Sequence, residues 1–292
     1  MGYGAVSYYG ATRIKTPKID CIASEGLRFT NVHASSATST PSRFSFLTGQ
    51  YAWRKAGTNI ATVNAASIIP TDCNTLPAML QKTNFTTGVV GKWHLGLDPS
   101  GGPDWNGTIK PGPNEIGFNY FFLIPATGDR VPCVFVEDRH VVGLDPKDPI
   151  QVSYGKPIGN EPTGKHHPEL LKMQISQGHD QTIVNGISRI GYMSGGQHAR
   201  WTDENIADIL TTKAKNFIVN KRAKPFFLYF ATHEINIPRV PNQRIVGKSN
   251  HKVRGDAILE FGWSVSEIMK TLNSLHLSKN TILIVSSDKC IE

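Results

Sequence analysis

Hydrophobic and polar positions along the chain fall into two alternating kinds of pattern. Thr86 to Trp93 reads as a strand, and Phe226 to Ala231 and Ile282 to Val285 are continuous apolar runs without alternation. Such runs suit strands buried on both faces. Between them, Ile206, Ile209, Leu210, Phe217 and Ile218 recur at helical spacing behind Thr202-Asp203-Glu204, where acidic residues meet the positive end of a helix. Ile258, Leu259, Val265, Ile268, Met269, Leu272 and Leu275 form a second helical stripe. Three shorter helices are predicted. Thr16-Pro17-Lys18 is a cap and first-turn proline, with Ile19, Ile22 and Ala23 on one face and Gly26 as a stop. The second runs from Pro41 through Leu47 to about Gly49, and the third from Thr75 to Lys82. Phe29 to Val32 reads as extended. Strands alternating with amphipathic helices predict an α/β fold, a largely parallel sheet with helices on both faces, in one domain over residues 1–292. Ligands then belong beyond the C-terminal strand ends. From Leu97 to about Arg200 the chain is rich in Gly, Pro, Asp and Asn, which predicts long loops forming a pocket wall.

The formal charge of +8 favours an anionic partner such as a sulfated polymer. Lysine and arginine are scattered, however, and no stretch interleaves basic with aromatic residues, so nucleic acid is not the expected partner. No apolar run approaches the length of a membrane span. Cys21, Cys73, Cys133 and Cys290 have neither metal-finger nor redox spacing. Met1 leads directly into Gly-Tyr-Gly-Ala, so no export signal is read in this chain.

Candidate chemistry centres on Ala37-Thr38-Ser39-Thr40-Pro41-Ser42-Arg43-Phe44-Ser45-Phe46-Leu47-Thr48-Gly49. It places Ser39 just before a helix whose free N–H groups favour an anion, with Arg43 returning one turn later. That geometry suits a nucleophile beside an oxyanion; by itself it also fits an ordinary serine-rich cap. The string resembles the signature of the formylglycine-dependent sulfatases, arylsulfatase A-like members of the alkaline phosphatase-like superfamily. In them the first Cys or Ser of C/S-x-P-S-R is oxidised to formylglycine (3-oxoalanine). Two further segments carry the same resemblance: Gly91-Lys92-Trp93-His94-Leu95-Gly96, and Phe226 to His233 followed by Ile237-Pro238-Arg239-Val240-Pro241. The resemblance implies Ser39 as the modified nucleophile, Arg43 and Lys92 as charge stabilisers, and His94 bonding the nucleophile side. His233 would contact the ester and protonate the leaving oxygen. Ile124 to Arg130 resembles a loop bordering the sulfate, which nominates Thr127, Asp129 and Arg130 for the substrate, with the Gly178-His179-Asp180-Gln181 loop nearby.

Sulfatases hold a divalent cation, usually calcium, with an Asp-Asp pair on the first strand and an Asp-Asn or Asp-His pair later. Met1-Gly2-Tyr3-Gly4 resembles the residues immediately after the Asp-Asp pair, which implies that the first strand lies outside this chain, as does a C-terminal subdomain. Ser286-Ser287-Asp288-Lys289-Cys290 resembles the later segment, keeping Asp288 as a metal ligand but placing Lys289 at a ligand position. An ammonium only donates and cannot coordinate calcium. The expectation is therefore a sulfuric ester hydrolase acting on a sulfated carbohydrate or aryl sulfate, with this chain an incomplete and inactive fragment. A serine-type formylglycine-generating maturation enzyme would be a partner, and a periplasmic or secreted location is expected for a complete member. Alternatives are a phosphodiester or phosphonate hydrolase of the same superfamily and a non-catalytic sulfated-glycan binder.

Overall fold

A computed structural model describes residues 1–288. In chain order the elements are α1 (Pro17–Glu25), α2 (Ser39–Thr48), α3 (Leu76–Lys82), β1 (Thr86–Lys92), β2 (Tyr120–Ile124), β3 (Val136–Glu137) and β4 (His140–Val141). Next come β5 (Gln151–Ser153), β6 (Ile183–Val184), β7 (Ile187–Ser188), β8 (Tyr192–Ser194), α4 (Ile206–Lys221), β9 (Phe226–Ala231) and α5 (Lys252–Ser274). The main sheet has the order β4-β3-β2-β1-β9. β1 pairs in parallel with both β2 and β9, while β2, β3 and β4 continue as an antiparallel edge. The sheet is thus mostly parallel, as the uninterrupted apolar runs predict.

Strand parity assigns the faces. In register across the parallel strands, Gly88, Tyr120 and Leu228 lie on one side and Val89, Phe121 and Tyr229 on the other. Phe217 of α4 stacks on Tyr120, meets Phe226 edge-on and lies where a side chain at Gly88 would be. Phe46 of α2 packs against Tyr229 from the opposite side. Helices therefore cover both faces. Thr211 of α4 and Ser264 of α5 are hydrogen-bonded at 3.0 Å inside the layer that they form.

Four local expectations need correction. Residues 97–200 are not only loop, because β2 is a central strand and small hairpin pairs form from β5 with β8 and β6 with β7. Ile282 to Val285 forms no strand: Ile282 is 90% and Ile284 78% exposed, and among the described residues β9 is paired on one edge only. An apolar run becomes a strand only where a neighbouring edge supplies hydrogen bonds. Phe29 to Val32 likewise lacks a partner strand among the described residues and is exposed. Thr16 precedes α1 as predicted, but its hydroxyl bonds Asp20 and the Ser7 backbone instead of capping the helix N–H groups.

Gly91, next to last in β1, has φ +114°, and a Cβ there would lie 1.9 Å from the Ala231 carbonyl oxygen of β9. Both the backbone angle and the neighbouring main chain exclude a side chain. Gly91→Ala should therefore destabilise the chain by more than about 1 kcal/mol, since the left-handed penalty and the clash add. Urea unfolding measures this; an unchanged midpoint would show that β1 and β9 do not approach so closely.

Candidate active site

The three segments that carry the sulfatase resemblance end at the C-terminal edge of the parallel strands. Ser39 is the first residue of α2, which begins two residues before the Pro41 start that the sequence predicts, with Thr38 before it in an extended conformation. Pro41 presets the first turn. One turn on, Arg43 folds back: its Nε donates to Ser39 Oγ at 2.9 Å, and its Nη1 donates to the Lys92 carbonyl at 2.8 Å and the Tyr229 hydroxyl at 3.2 Å. Arg43 Nη2 lies 3.0 Å from Asp288 Oδ2. One guanidinium thereby joins α2, β1, β9 and the segment at Asp288.

Lys92 closes β1, and its ammonium is buried, donating to Asn236 Oδ1 at 3.2 Å. Two residues on, His94 turns through a left-handed conformation, φ 60°. Its backbone carbonyl accepts from the Thr40 hydroxyl at 3.0 Å, which fixes it beside the start of α2. His94 Nε2 is 2.9 Å from the Ala61 carbonyl. A carbonyl only accepts, so Nε2 carries the ring proton and Nδ1 is a bare acceptor, buried and without a hydrogen-bond partner among the described residues. Burial, with the Lys92 charge next in weight, pushes the His94 pKa down to about 3.

His233 follows β9 and is buried. Its Nε2 accepts from the Gly128 N–H at 3.0 Å, so the proton of the neutral ring sits on Nδ1. A Cβ at Gly128 would come within 2.5 Å of that nitrogen, so only glycine permits the contact. Burial first and the Lys92 charge second hold this ring at about 3 as well. Gly128 is itself fixed by Arg189, which donates to its carbonyl and makes a two-pronged ion pair with buried Asp203 at 2.6 and 3.0 Å.

Of the residues nominated for substrate contact, Thr127 and Asp129 flank Gly128, and Arg130 donates to the same Ala61 carbonyl as His94, at 3.3 Å. Asp129 Oδ2 is 3.4 Å from His179 Nε2. Thr127 Oγ1 and His94 Nδ1 are buried without a hydrogen-bond partner among the described residues, while Asp129 Oδ1 and Arg130 Nε, beyond hydrogen-bond range, face each other as a long ion pair at 3.8 Å. Buried polar atoms normally find a hydrogen-bond partner, so these under-satisfied atoms on adjoining loops are groups to which a polar ligand can bond. Sequence reasoning missed Ala61, Asn236, Tyr229 and Arg189. Only Asn236 had a local signal, lying three residues after His233 on the same segment.

Among the described residues no group of three His, Cys, Asp or Glu side chains could hold a metal ion. Asp288 faces Arg43, and Lys289, expected at a ligand position, lies outside the described residues. A hard cation needs about six oxygens, so these residues do not by themselves fit calcium.

The fold and site together define an α/β protein whose strand ends gather two cations, two neutral histidines and a serine at a helix N-terminus, a setting for a tetrahedral oxyanion. The chain belongs to the Sulfatase family, whose model matches residues 1–291. It is 57% identical over 288 residues to the N-acetylgalactosamine-6-O-sulfatase of Bacteroides thetaiotaomicron, covering 99% of this chain and 56% of that protein. Human steryl-sulfatase is 28% identical over 315 residues, covering 99% and 53%. A solved structure from the metabolism of multiple glycosaminoglycans by Bacteroides thetaiotaomicron, described as 6S-sulf, superposes with a TM-score of 0.96 at 57% identity. It is matched over 98% of this chain and 60% of its own. The chain thus spans about half the length of the curated relatives it matches.

Histidines held near 3 bind fewer protons than in the unfolded chain between about pH 3 and pH 6.5. Their contribution to stability is complete above that window and lost as pH falls through it. Ring nitrogen shifts recorded at pH 5.5 should report His94 and His233 as neutral, with the proton on Nε2 and Nδ1 respectively. Titration of either ring near 6.5 would contradict this arrangement.

Proposed function

We propose that this chain carries the catalytic core of a sulfuric ester hydrolase in which Ser39, oxidised to formylglycine, attacks the sulfate on O6 of an N-acetylgalactosamine unit. The observation that carries the reading is the Arg43 Nε contact to Ser39 Oγ at the start of α2. It puts a permanent cation and a helix N-terminus at the one oxygen that the family's chemistry modifies. The sugar and ester position come from the relative that is 57% identical. The positive charge of the chain agrees with a polyanionic glycan.

A hydrated aldehyde at position 39 supplies one hydroxyl to attack sulfur and a second through which sulfate is later released. The remaining roles fall to this chain's own side chains. Arg43 holds the position-39 oxygen and spreads its charge. Lys92, poised on Asn236, offers a compact cation to a sulfate oxygen. His94 Nδ1, the bare acceptor, takes a hydrogen bond from the nucleophile hydroxyl. His233 offers Nδ1–H toward the ester oxygen, and an arriving anion raises its affinity for a second proton, which suits it to protonating the leaving group. Thr127, Asp129 and Arg130 bond the sugar, which satisfies the orphaned Thr127 Oγ1 and gives the long Asp129–Arg130 pair closer partners. Asp288 is the ligand this chain offers to calcium, and the described residues alone do not complete that site.

Two experiments test the reading. When the chain is produced with a serine-type maturation enzyme, mass spectrometry of the tryptic peptide Phe29 to Arg43 should show loss of two hydrogens at Ser39. In a form spanning the full length of the curated relatives, Lys92→Ala and His233→Ala should each lower kcat on the 6-O-sulfated sugar about 100-fold or more. Near-native turnover in both variants, or turnover of an aryl phosphate but not a sulfate ester, would sink the assignment. The 292-residue chain itself is expected to bind calcium weakly and to turn over no sulfate ester; tight calorimetric binding would show that the ligands have been misplaced.

A further inference from the structure

Behind His233 lies a small cavity of about 10 Å³, room for a single water, walled by Asp203, His233, Glu234, Pro238 and Glu260 among others. Three buried carboxyls line it; Asp203 is paired with Arg189, and Glu234 and Glu260 have no counter-ion among the described residues. Glu234 is 7% exposed; its Oε1 accepts from the Ser264 hydroxyl at 2.5 Å, and its Oε2 is buried without a hydrogen-bond partner among the described residues. Glu260, 3% exposed, accepts the Asn242 N–H at 2.8 Å through Oε1. The nearby cations are committed elsewhere: Arg189 to Asp203, and Arg244 to Asp208. Two carboxylates in one buried space without a cation cannot both ionise.

We infer that Glu234 and Glu260 share a proton across this water-sized cavity and act as a positioning pair for His233. The inference deepens the proposed reaction and rests on that reading for its catalytic meaning. The Glu234 side chain sits by the Thr232 hydroxyl and the backbone N–H groups of His233 and Glu234, so its charge state acts directly on the His233 segment. With the proton in place, the pair carries a single negative charge and the ring keeps Nε2 on Gly128. Once it is lost, a second carboxylate faces the cavity behind the imidazole, and the ring, still neutral, is repositioned by that charge without taking a second proton.

The titratable and charged groups around the pair are Asp203 beside α4 with its partner Arg189, Asp208 within α4, Arg244 on the turn before α5, and the neutral His233. Burial is the main cause that raises both carboxyls, Glu260 to about 7, with Glu234 adding repulsion to it and Arg244 opposing. Because the folded value lies above the unfolded one, the folded state binds the extra proton between about pH 4.5 and pH 7. Stability therefore falls as pH rises through that window and stays reduced above it.

The test uses the 292-residue chain and its Glu260→Gln and Glu234→Gln variants, which cannot ionise. Between pH 5 and pH 8 the wild type should lose about 5 °C more in Tm than Glu260→Gln. His233 ring nitrogen shifts should stay in the neutral range throughout but show a small step with a midpoint near 7 in the wild type, as the ring senses the charge of the pair, and lose that step in the variant. If Glu260→Gln does not fold, Glu234→Gln carries the same comparison. Parallel Tm curves, or a His233 midpoint unchanged by either variant, overturn the inference. Neither readout needs turnover, so an absence of sulfate hydrolysis counts against the proposed reaction and leaves this result standing.

Discussion

The site depends on where the Arg43 guanidinium can find acceptors. A buried cation is costly unless each N–H group is met, and its acceptors come from separate parts of the fold: Ser39, the Lys92 carbonyl, the Tyr229 hydroxyl and Asp288. Satisfying it brings the start of α2 to the ends of β1 and β9. The planar fork of arginine can reach in several directions at once; the single ammonium of lysine could not replace it. Tertiary structure and candidate chemistry are here the same set of contacts.

That gathering of charge has a second consequence. Burial first, and then the charges of Arg43, Lys92, Arg130 and Arg189 around them, disfavour further positive charge on the two histidines, and both rings are held neutral. Each ring then has a defined tautomer, set by a backbone partner: the Ala61 carbonyl for His94 and the Gly128 N–H for His233. One ring presents an acceptor and the other a donor. An arriving sulfate ester would meet fixed cations and preset hydrogen-bond polarity with little rearrangement, the condition under which electrostatic stabilisation is strongest.

Much of this was legible in the residues because it is local. The strands Thr86 to Trp93 and Phe226 to Ala231, the helix behind Ser39 and the two amphipathic helices arise from periodicity and punctuation within each segment. The assigned roles of Ser39, Arg43, Lys92, His94 and His233 came from resemblance, and the structure brings those side chains to one end of one sheet. What sequence reasoning missed depends on distant partners. Ile282 to Val285 has the composition of a strand but no edge to pair with among the described residues, while β2 was hidden in a loop-rich stretch by its short length. Asn236, Tyr229, Arg189 and the Ala61 carbonyl serve the site through contacts across 33 to 186 residues, apart from the Asn236 contact to His233. Apart from that one Asn236 contact, no local pattern encodes them.

The central claim is that Arg43 organises an oxyanion site around position 39. Its most direct measurement is calorimetric binding of inorganic sulfate to the full-length form, comparing the wild type with Arg43→Lys, which keeps the charge and loses the fork. Binding at least about tenfold weaker in the variant, with the fold retained by circular dichroism, is the predicted result, the scale expected for a lost charge-assisted hydrogen bond. Equal affinities would mean that the guanidinium serves the packing of α2 alone and that sulfate is held elsewhere.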